Sequence, residues 1–131
     1  MDLSKFTQRA QEALQEAQIL AMKLGNQTIE GEHLLSSMVS QREGLISSLM
    51  EKLSVDVQGL RSKVDSYLDT LPKVSGGGYS EESVHASNRL IRLLAEARDE
   101  ASRMKDGYVS VEHILLAMMD EGDRSFAGSA L

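Results

Sequence analysis

Two Glu-His dipeptides, Glu32-His33 and Glu112-His113, are the residues of this chain best equipped for chemistry. Carboxylate and imidazole groups on neighbouring helices can hold metal ions, but the helical sites that do so place Glu and His three residues apart, on one face. Here the two are adjacent, and the helical period turns them roughly 100° away from each other. Both do not readily face one ion, so no metal site is expected. Each glutamate falls instead in the first turn of a predicted helix, where exposed N–H groups and the helix dipole favour a carboxylate by roughly 0.3–1 kcal/mol. Each histidine is expected to be half-buried, donating to a carbonyl at the helix entry rather than acting as a base. His85 stands apart from these pairs and is given no role. No grouping of nucleophile, base and orienting acid is recognisable, and no GxxxxGK[ST] loop is present to cradle nucleotide phosphates. The chain has no cysteine, which excludes disulfides, thiolate zinc sites and cysteine nucleophiles. No catalytic residue and no cofactor of its own are expected.

The dipeptides stand eighty residues apart, and so do their surroundings. Aligned without a gap, Leu14–Val39 and Leu94–Met119 share Leu14/Leu94, Glu16/Glu96, Ala17/Ala97, Ala21/Ala101, Glu32/Glu112, His33/His113, Leu35/Leu115 and Met38/Met118. Eight identities in twenty-six positions are several times what shared composition gives, so the chain reads as a duplicated helical unit. At 131 residues it is long enough for one cored domain and too short for two ordinary ones. The expected fold is all-α: a single domain of two pseudo-twofold-related four-helix repeats, the second truncated.

The elements that must position these residues follow in order. Ser4 is expected to cap a first helix whose stripe is Phe6, Ala10, Ala13, Leu14, Ala17, Leu20, Ala21 and Leu24, with Gly25-Asn26 ending it. A second helix carries Leu34, Leu35, Met38 and Val39 on one face. Gly44 opens a third, with Leu45, Ile46, Leu49, Met50 and Leu53 apolar. Asp56 caps a fourth with a buried stripe of Val57, Leu60, Val64, Leu68 and Leu71. Leu71-Pro72 and the three glycines Gly76–Gly78 then read as a break, dividing the chain into a first repeat (1–71), a linker (72–79) and a second, incomplete repeat (80–131). Ser80, followed by Glu81 and Glu82, is expected to start the fifth helix, with Val84, Leu90, Ile91, Leu94, Ala97, Ala101 and Met104 inside. Lys105-Asp106-Gly107 closes it, and Ser110 caps a sixth with Ile114, Leu115, Met118 and Met119 inside. A seventh begins at Ser125. The incomplete second half is read as part of a longer polypeptide.

The net charge of −6, with acids and bases interleaved, argues against a nucleic-acid partner, which needs a concentrated positive field. No stretch approaches the roughly 20 apolar residues of a membrane span, and no membrane contact is expected. A cytoplasmic location follows as an expectation from the absence of a signal segment. Seven methionines and almost no aromatic residues suit a helical core, with most methionines used as filling.

The duplicated pattern Phe6-Thr7, Glu16-Ala17, Ala21, Leu24-Gly25 and Ile29-Glu30-Gly31-Glu32-His33-Leu34-Leu35, with its copy ending Tyr108-Val109-Ser110-Val111-Glu112-His113-Ile114-Leu115-Leu116, resembles the Clp amino-terminal repeat domain. That domain begins the Clp AAA+ unfoldases. The linker Leu71-Pro72-Lys73-Val74-Ser75-Gly76-Gly77-Gly78 looks most like the ClpB disaggregase branch. The resemblance covers essentially the whole chain. It implies a binding module, a non-catalytic domain tethered to ATPase rings that supply ATP and magnesium chemistry. It further implies unfolded or aggregated client proteins as partners, with a co-chaperone acting through the full-length protein. The fragment is expected to be a monomer and its parent a hexamer. Family contacts map onto Thr7, Asp106 and Glu112, and an apolar groove between the halves is expected to use Leu90, Leu94 and His113. The alternative is a ClpC-like domain that docks an adaptor or reads phosphoarginine through polar pockets. The matching residues for those pockets are Thr7 with Glu32, and Ser87 with Glu112.

Overall fold

The computed structural model describes residues 3–41, 44–74 and 84–131. Among the described residues, seven α-helices and one minimal sheet make up the fold. They are α1 (Gln8–Lys23), β1 (Thr28–Ile29), α2 (Gly31–Ser40), α3 (Leu45–Lys52), α4 (Val57–Asp69), β2 (His85–Ala86), α5 (Asn88–Arg103), α6 (Val111–Glu121) and α7 (Phe126–Ala130), with a 3-10 turn at Gly122–Arg124 between the last two. The protein is all-α, as the periodicity predicts, but the short β1 and β2 are not foreseen by it.

Helix α1 buries Ala10, Ala13, Ala17 and Ala21 and no larger side chain. An alanine face lets two helix axes approach closely, and α1 lies along α2. The close approach is visible in Ser37, whose hydroxyl reaches the Ala13 carbonyl at 2.8 Å across the two helices. Helix α2 is the centre of the domain: every residue from Glu32 to Val39 is buried. It touches α1, α3, α4, α5, α6 and α7, so four polar residues share its buried run and each needs an internal partner. Helices α5 and α6 pack together in the same way.

Helix entries are stitched together by backbone pairing between segments far apart in sequence. Strand β1 runs parallel to β2 in the register Thr28↔His85 and Ile29↔Ala86, and Phe6 forms a parallel bridge to Val109. The N–H of Thr7 donates to the Val109 carbonyl at 2.9 Å, and the N–H of Ser87 donates to the Ile29 carbonyl at 3.1 Å. Adding eighty to Thr7 and subtracting it from Val109 converts the first bond into the second. Each half therefore leads its first helix in against the other half's second helix.

Several sequence expectations are corrected here. Helix α1 is capped by Thr7, not Ser4: the Thr7 hydroxyl accepts from the Ala10 N–H at 3.2 Å. Helix α5 is capped by Ser87, whose hydroxyl accepts from the Leu90 N–H at 3.1 Å. The proposed cap Ser80, with Glu81 and Glu82, lies outside the described residues. Of its expected stripe, Leu90, Leu94, Ala97 and Ala101 are buried, whereas Ile91 and Met104, at the edges of that face, are 44% and 54% exposed and Leu93 takes a place in the core. Met119 is 51% exposed rather than inside. Asp56 caps α4 as expected, accepting from the Gly59 N–H at 3.0 Å.

Helix α7 is held from three sides. The Phe126 ring stacks on Tyr67 of α4, with centroids 4.4 Å apart and planes 7° from parallel. The Ala127 N–H donates to Glu32 of α2. Gly128 sits against the end of α6, where an added Cβ would meet the Gly122 carbonyl, come within 2.7 Å of the Gly122 nitrogen and within 2.8 Å of the Met118 carbonyl. All three obstacles are backbone and cannot swing aside. Gly128→Ala is therefore expected to destabilise the domain by about 1–3 kcal/mol, the usual cost of overpacking, measured as a lowered urea midpoint. An unchanged midpoint would show that α7 is not pressed against α6.

Candidate binding site

The candidate site is built at the start of α6. Ser110 is its N-cap, and its backbone N–H donates to Nδ1 of His113 at 2.9 Å. A nitrogen that accepts from a backbone N–H carries no proton, so the ring's hydrogen is on Nε2. That nitrogen stands 2.8 Å from Oδ2 of Asp106 and donates to it. The ring is 5% exposed at its side chain, while the Asp106 carboxylate is 48% exposed. The Ser110 hydroxyl lies 3.2 Å from Oε2 of Glu112. The outcome is a carboxylate oriented by a buried imidazole, its other oxygen facing outward.

The start of α2 repeats this arrangement with one change. The Glu30 N–H donates to Nδ1 of His33 at 2.9 Å, and Nε2 of His33 stands 2.8 Å from Oδ1 of Asn26. An amide thus replaces the carboxylate. His33 is wholly buried, and burial pushes its pKa down to about 4 despite the opposing pull of Glu30. Both histidines accept from a backbone N–H and donate to a side-chain oxygen, rather than donating to a backbone carbonyl while half-buried. The reason is their third position in the helix, where the ring reaches back to the exposed N–H of the cap residue, in the manner of a capping box.

The two glutamates diverge further. Glu112 is half-buried, as a first-turn carboxylate should be. Glu32 is 1% exposed, with Oε2 accepting from the Ala127 N–H at 2.9 Å and Oε1 having no hydrogen-bond partner among the described residues. Its work is internal: it ties α2 to α7. Among the described residues no cluster of three or more His, Asp or Glu is placed to hold a metal.

The remaining sequence candidates fall into place around this. Leu90 and Leu94 are 2% and 3% exposed and His113 is 4% exposed, so they fill the core and do not line an open groove as expected. The Ser87 hydroxyl donates to Oε1 of Glu30 at 2.8 Å while capping α5. Backbone pairing carries Thr7 to Val109, three residues before Glu112, and Ser87 to Ile29, three residues before Glu32. The expected pockets, Thr7 with Glu32 and Ser87 with Glu112, are thus crossed between the halves. Thr7 and Asp106 both adjoin the start of α6 that carries Glu112, Thr7 through Val109 and Asp106 through His113. Sequence reasoning missed Met104, Lys105 and Tyr108, exposed on the turn that carries Asp106. The signal available for them was the exchange of Asn26 for Asp106 between otherwise matching segments.

Residues 5–131 match the family described as the Clp repeat (R) N-terminal domain. The chain belongs to this family. It is 36% identical over 128 residues to the chaperone protein ClpB of Nitratidesulfovibrio vulgaris, a match that covers 98% of this chain and 15% of that protein. Among solved structures, the Hsp104 N-terminal domain of Candida albicans superposes with a TM-score of 0.77 at 21% identity, covering 97% of this chain and 82% of that one. The N-terminal domain of the ClpV1 ATPase of E. coli EAEC gives 0.82 at 21% identity, covering 94% and 72%. The Clp repeat domain described here is thus ClpB-like in sequence and shares its helical fold with more distant Clp N-domains. It spans about 15% of the length of the ClpB relative. No helix among its described residues is long and apolar enough to cross a membrane.

Proposed function

We propose that this domain is the client-binding N-terminal module of a ClpB-type disaggregase, engaging unfolded or aggregated polypeptides without catalysing a reaction. The observation that carries the reading is its similarity to ClpB N-terminal regions along nearly its whole length. The surface near Asp106 supports it. Met104 is 54% and Tyr108 58% exposed, flanking an outward-facing carboxylate. Apolar side chains beside an anion suit extended segments that mix aliphatic and basic residues. The His113–Asp106 pair orients that anion, and the same hydrogen bonds commit the ring to holding it rather than moving protons. In the parent, ATP and magnesium would serve ATPase rings elsewhere in a cytoplasmic hexamer, and a co-chaperone would act through the full-length protein.

The reading is tested by titrating the domain with reduced, carboxamidomethylated lysozyme, an unfolded basic protein, and with native lysozyme as control. Binding of the unfolded form alone is expected; equal binding of the two forms, or of neither, rejects it. Asp106→Ala with Glu112→Ala is expected to weaken that binding several-fold while the melting temperature changes little, and unchanged affinity removes both residues from the surface.

The adaptor- or phosphoarginine-docking reading has less support. Two of its four matching residues are engaged within the domain, Glu32 with the Ala127 N–H of α7 and Ser87 with Glu30 and the α5 cap.

A further inference from the structure

The turns that end α1 and α5 match bond for bond. Leu24 N–H donates to Leu20 and Met104 N–H to Glu100, both at 3.0 Å; Gly25 N–H donates to Met22 at 3.1 Å and Lys105 N–H to Ser102 at 3.0 Å; Asn26 N–H donates to Ala21 and Asp106 N–H to Ala101, both at 2.9 Å. Gly25 and Lys105 both adopt left-handed backbone, with φ of 73° and 59°. The carbonyls of Gly25 and Lys105 are therefore presented alike. What differs is what lies on them.

On the first turn an extended piece of the chain is seated. The Val74 N–H donates to the Gly25 carbonyl at 2.7 Å, and Nδ2 of Asn26 donates to the Pro72 carbonyl at 3.1 Å. Under that cover Asn26 is 2% exposed. On the second turn Met104, Lys105, Asp106, Gly107 and Tyr108 are all exposed. Resting on the reading of the domain as a client-binding module, we infer that the Lys105–Tyr108 turn is a docking site for an extended polypeptide segment, seated as Pro72–Val74 is seated on Gly25–Asn26.

The exchange of Asn for Asp states which segment. Asn26 and Asp106 use one oxygen alike, to receive the histidine Nε2–H. The remaining atom is an N–H donor in Asn26 and an anionic acceptor in Asp106. A segment on the second turn must therefore bring a donor where Pro72 brings a carbonyl, and a lysine or arginine side chain supplies it as a charge-assisted bond. Two residues later it brings a backbone N–H for the Lys105 carbonyl, so that residue is not proline. A Cβ at this position is compatible with such a segment: one built at Gly25 would lie 3.4 Å from the Val74 oxygen and 3.7 Å from the Lys73 Cβ, ordinary contact distances. Met104 and Tyr108 flank the path with apolar surface.

The test uses two six-residue peptides that copy residues 70–75, one with proline at the position of Pro72 and one with arginine there. Amide shifts of the labelled domain report where each binds. The arginine peptide is expected to shift Lys105–Tyr108 and to bind at least about tenfold more tightly than the proline peptide. Asp106→Asn restores the chemistry of Asn26, which the first half shows this turn accommodates, and is expected to bring the two affinities within about twofold. Absence of shifts at this turn, or an arginine preference that survives Asp106→Asn, overturns the inference. So does self-association of the domain through the same residues, which would make a second copy the occupant. Lysozyme binding that persists after any of these results leaves the client-binding reading standing, whereas its absence rejects that reading separately.

Discussion

Ala17→Asp is expected to leave no cooperatively folded domain. Ala17 has no exposure and lies on the alanine face by which α1 closes on α2. A carboxylate there has neither water nor a partner, and burying an unpaired charge costs several kcal/mol on top of the overpacking that a larger side chain brings to a close helix contact. A domain of this kind has about 5–15 kcal/mol of stability in all. Circular dichroism should show lost helicity or a broad, low-temperature transition. Leu14→Asp is the informative companion. Leu14 opens the duplicated stretch in sequence but is only half-buried, so its carboxylate can reach water, and a loss of about 1–3 kcal/mol is expected. A sharp melt for Ala17→Asp near the wild-type temperature would show that α1 does not close on α2 through this face.

Acid is expected to destabilise the domain through His33 well before general carboxylate protonation does so. In the folded state burial holds this imidazole's pKa at about 4, whereas its ordinary value is 6.5. Between those two pH values the unfolded chain holds a proton on His33 that the folded chain does not. Stability therefore falls as pH drops through the window and is fully present only above it. The gap corresponds to roughly 3 kcal/mol lost by pH 4. The geometry gives the same sign, because a proton on Nδ1 would face the Glu30 N–H and one more charge would enter a sealed site. Urea denaturation at several pH values measures the slope. His33→Gln, which keeps an acceptor for the Glu30 N–H, should flatten the curve between pH 6.5 and 4. A variant that retains the full slope would place the acid sensitivity in other groups.

Much of the architecture was legible before any coordinates. The helical class, the Asp56 and Ser110 caps and the stop at Gly25-Asn26 all follow from periodicity and capping chemistry acting within a few residues. The start of α5 was not legible. Ser80 followed by two acids has better capping chemistry than Ser87 followed by asparagine and arginine. The competing information is the parallel pairing of His85-Ala86 with Thr28-Ile29, which keeps the chain extended up to Ser87. The eighty-residue spacing holds the same clue, since Thr7 and Ser87 are counterparts, but only if Thr7 rather than Ser4 is known to be the first cap.

The residues offered for binding show the same division. Asp106 is exposed and Glu112 half-buried, while Leu90, Leu94 and His113 are enclosed, because a leucine stripe is needed to make the core of a small domain. The amino-acid sequence by itself determined the helical class, the eighty-residue recurrence and the Clp kinship, since these depend on local period, capping and residue identity. Only the tertiary structure decided which of two near-identical sites is sealed. Asn26 lies under Pro72–Val74 and Glu32 under α7, whereas Asp106 is exposed and Glu112 half-buried. Burial is conferred by segments that arrive from far along the chain, and no local pattern records where they will lie.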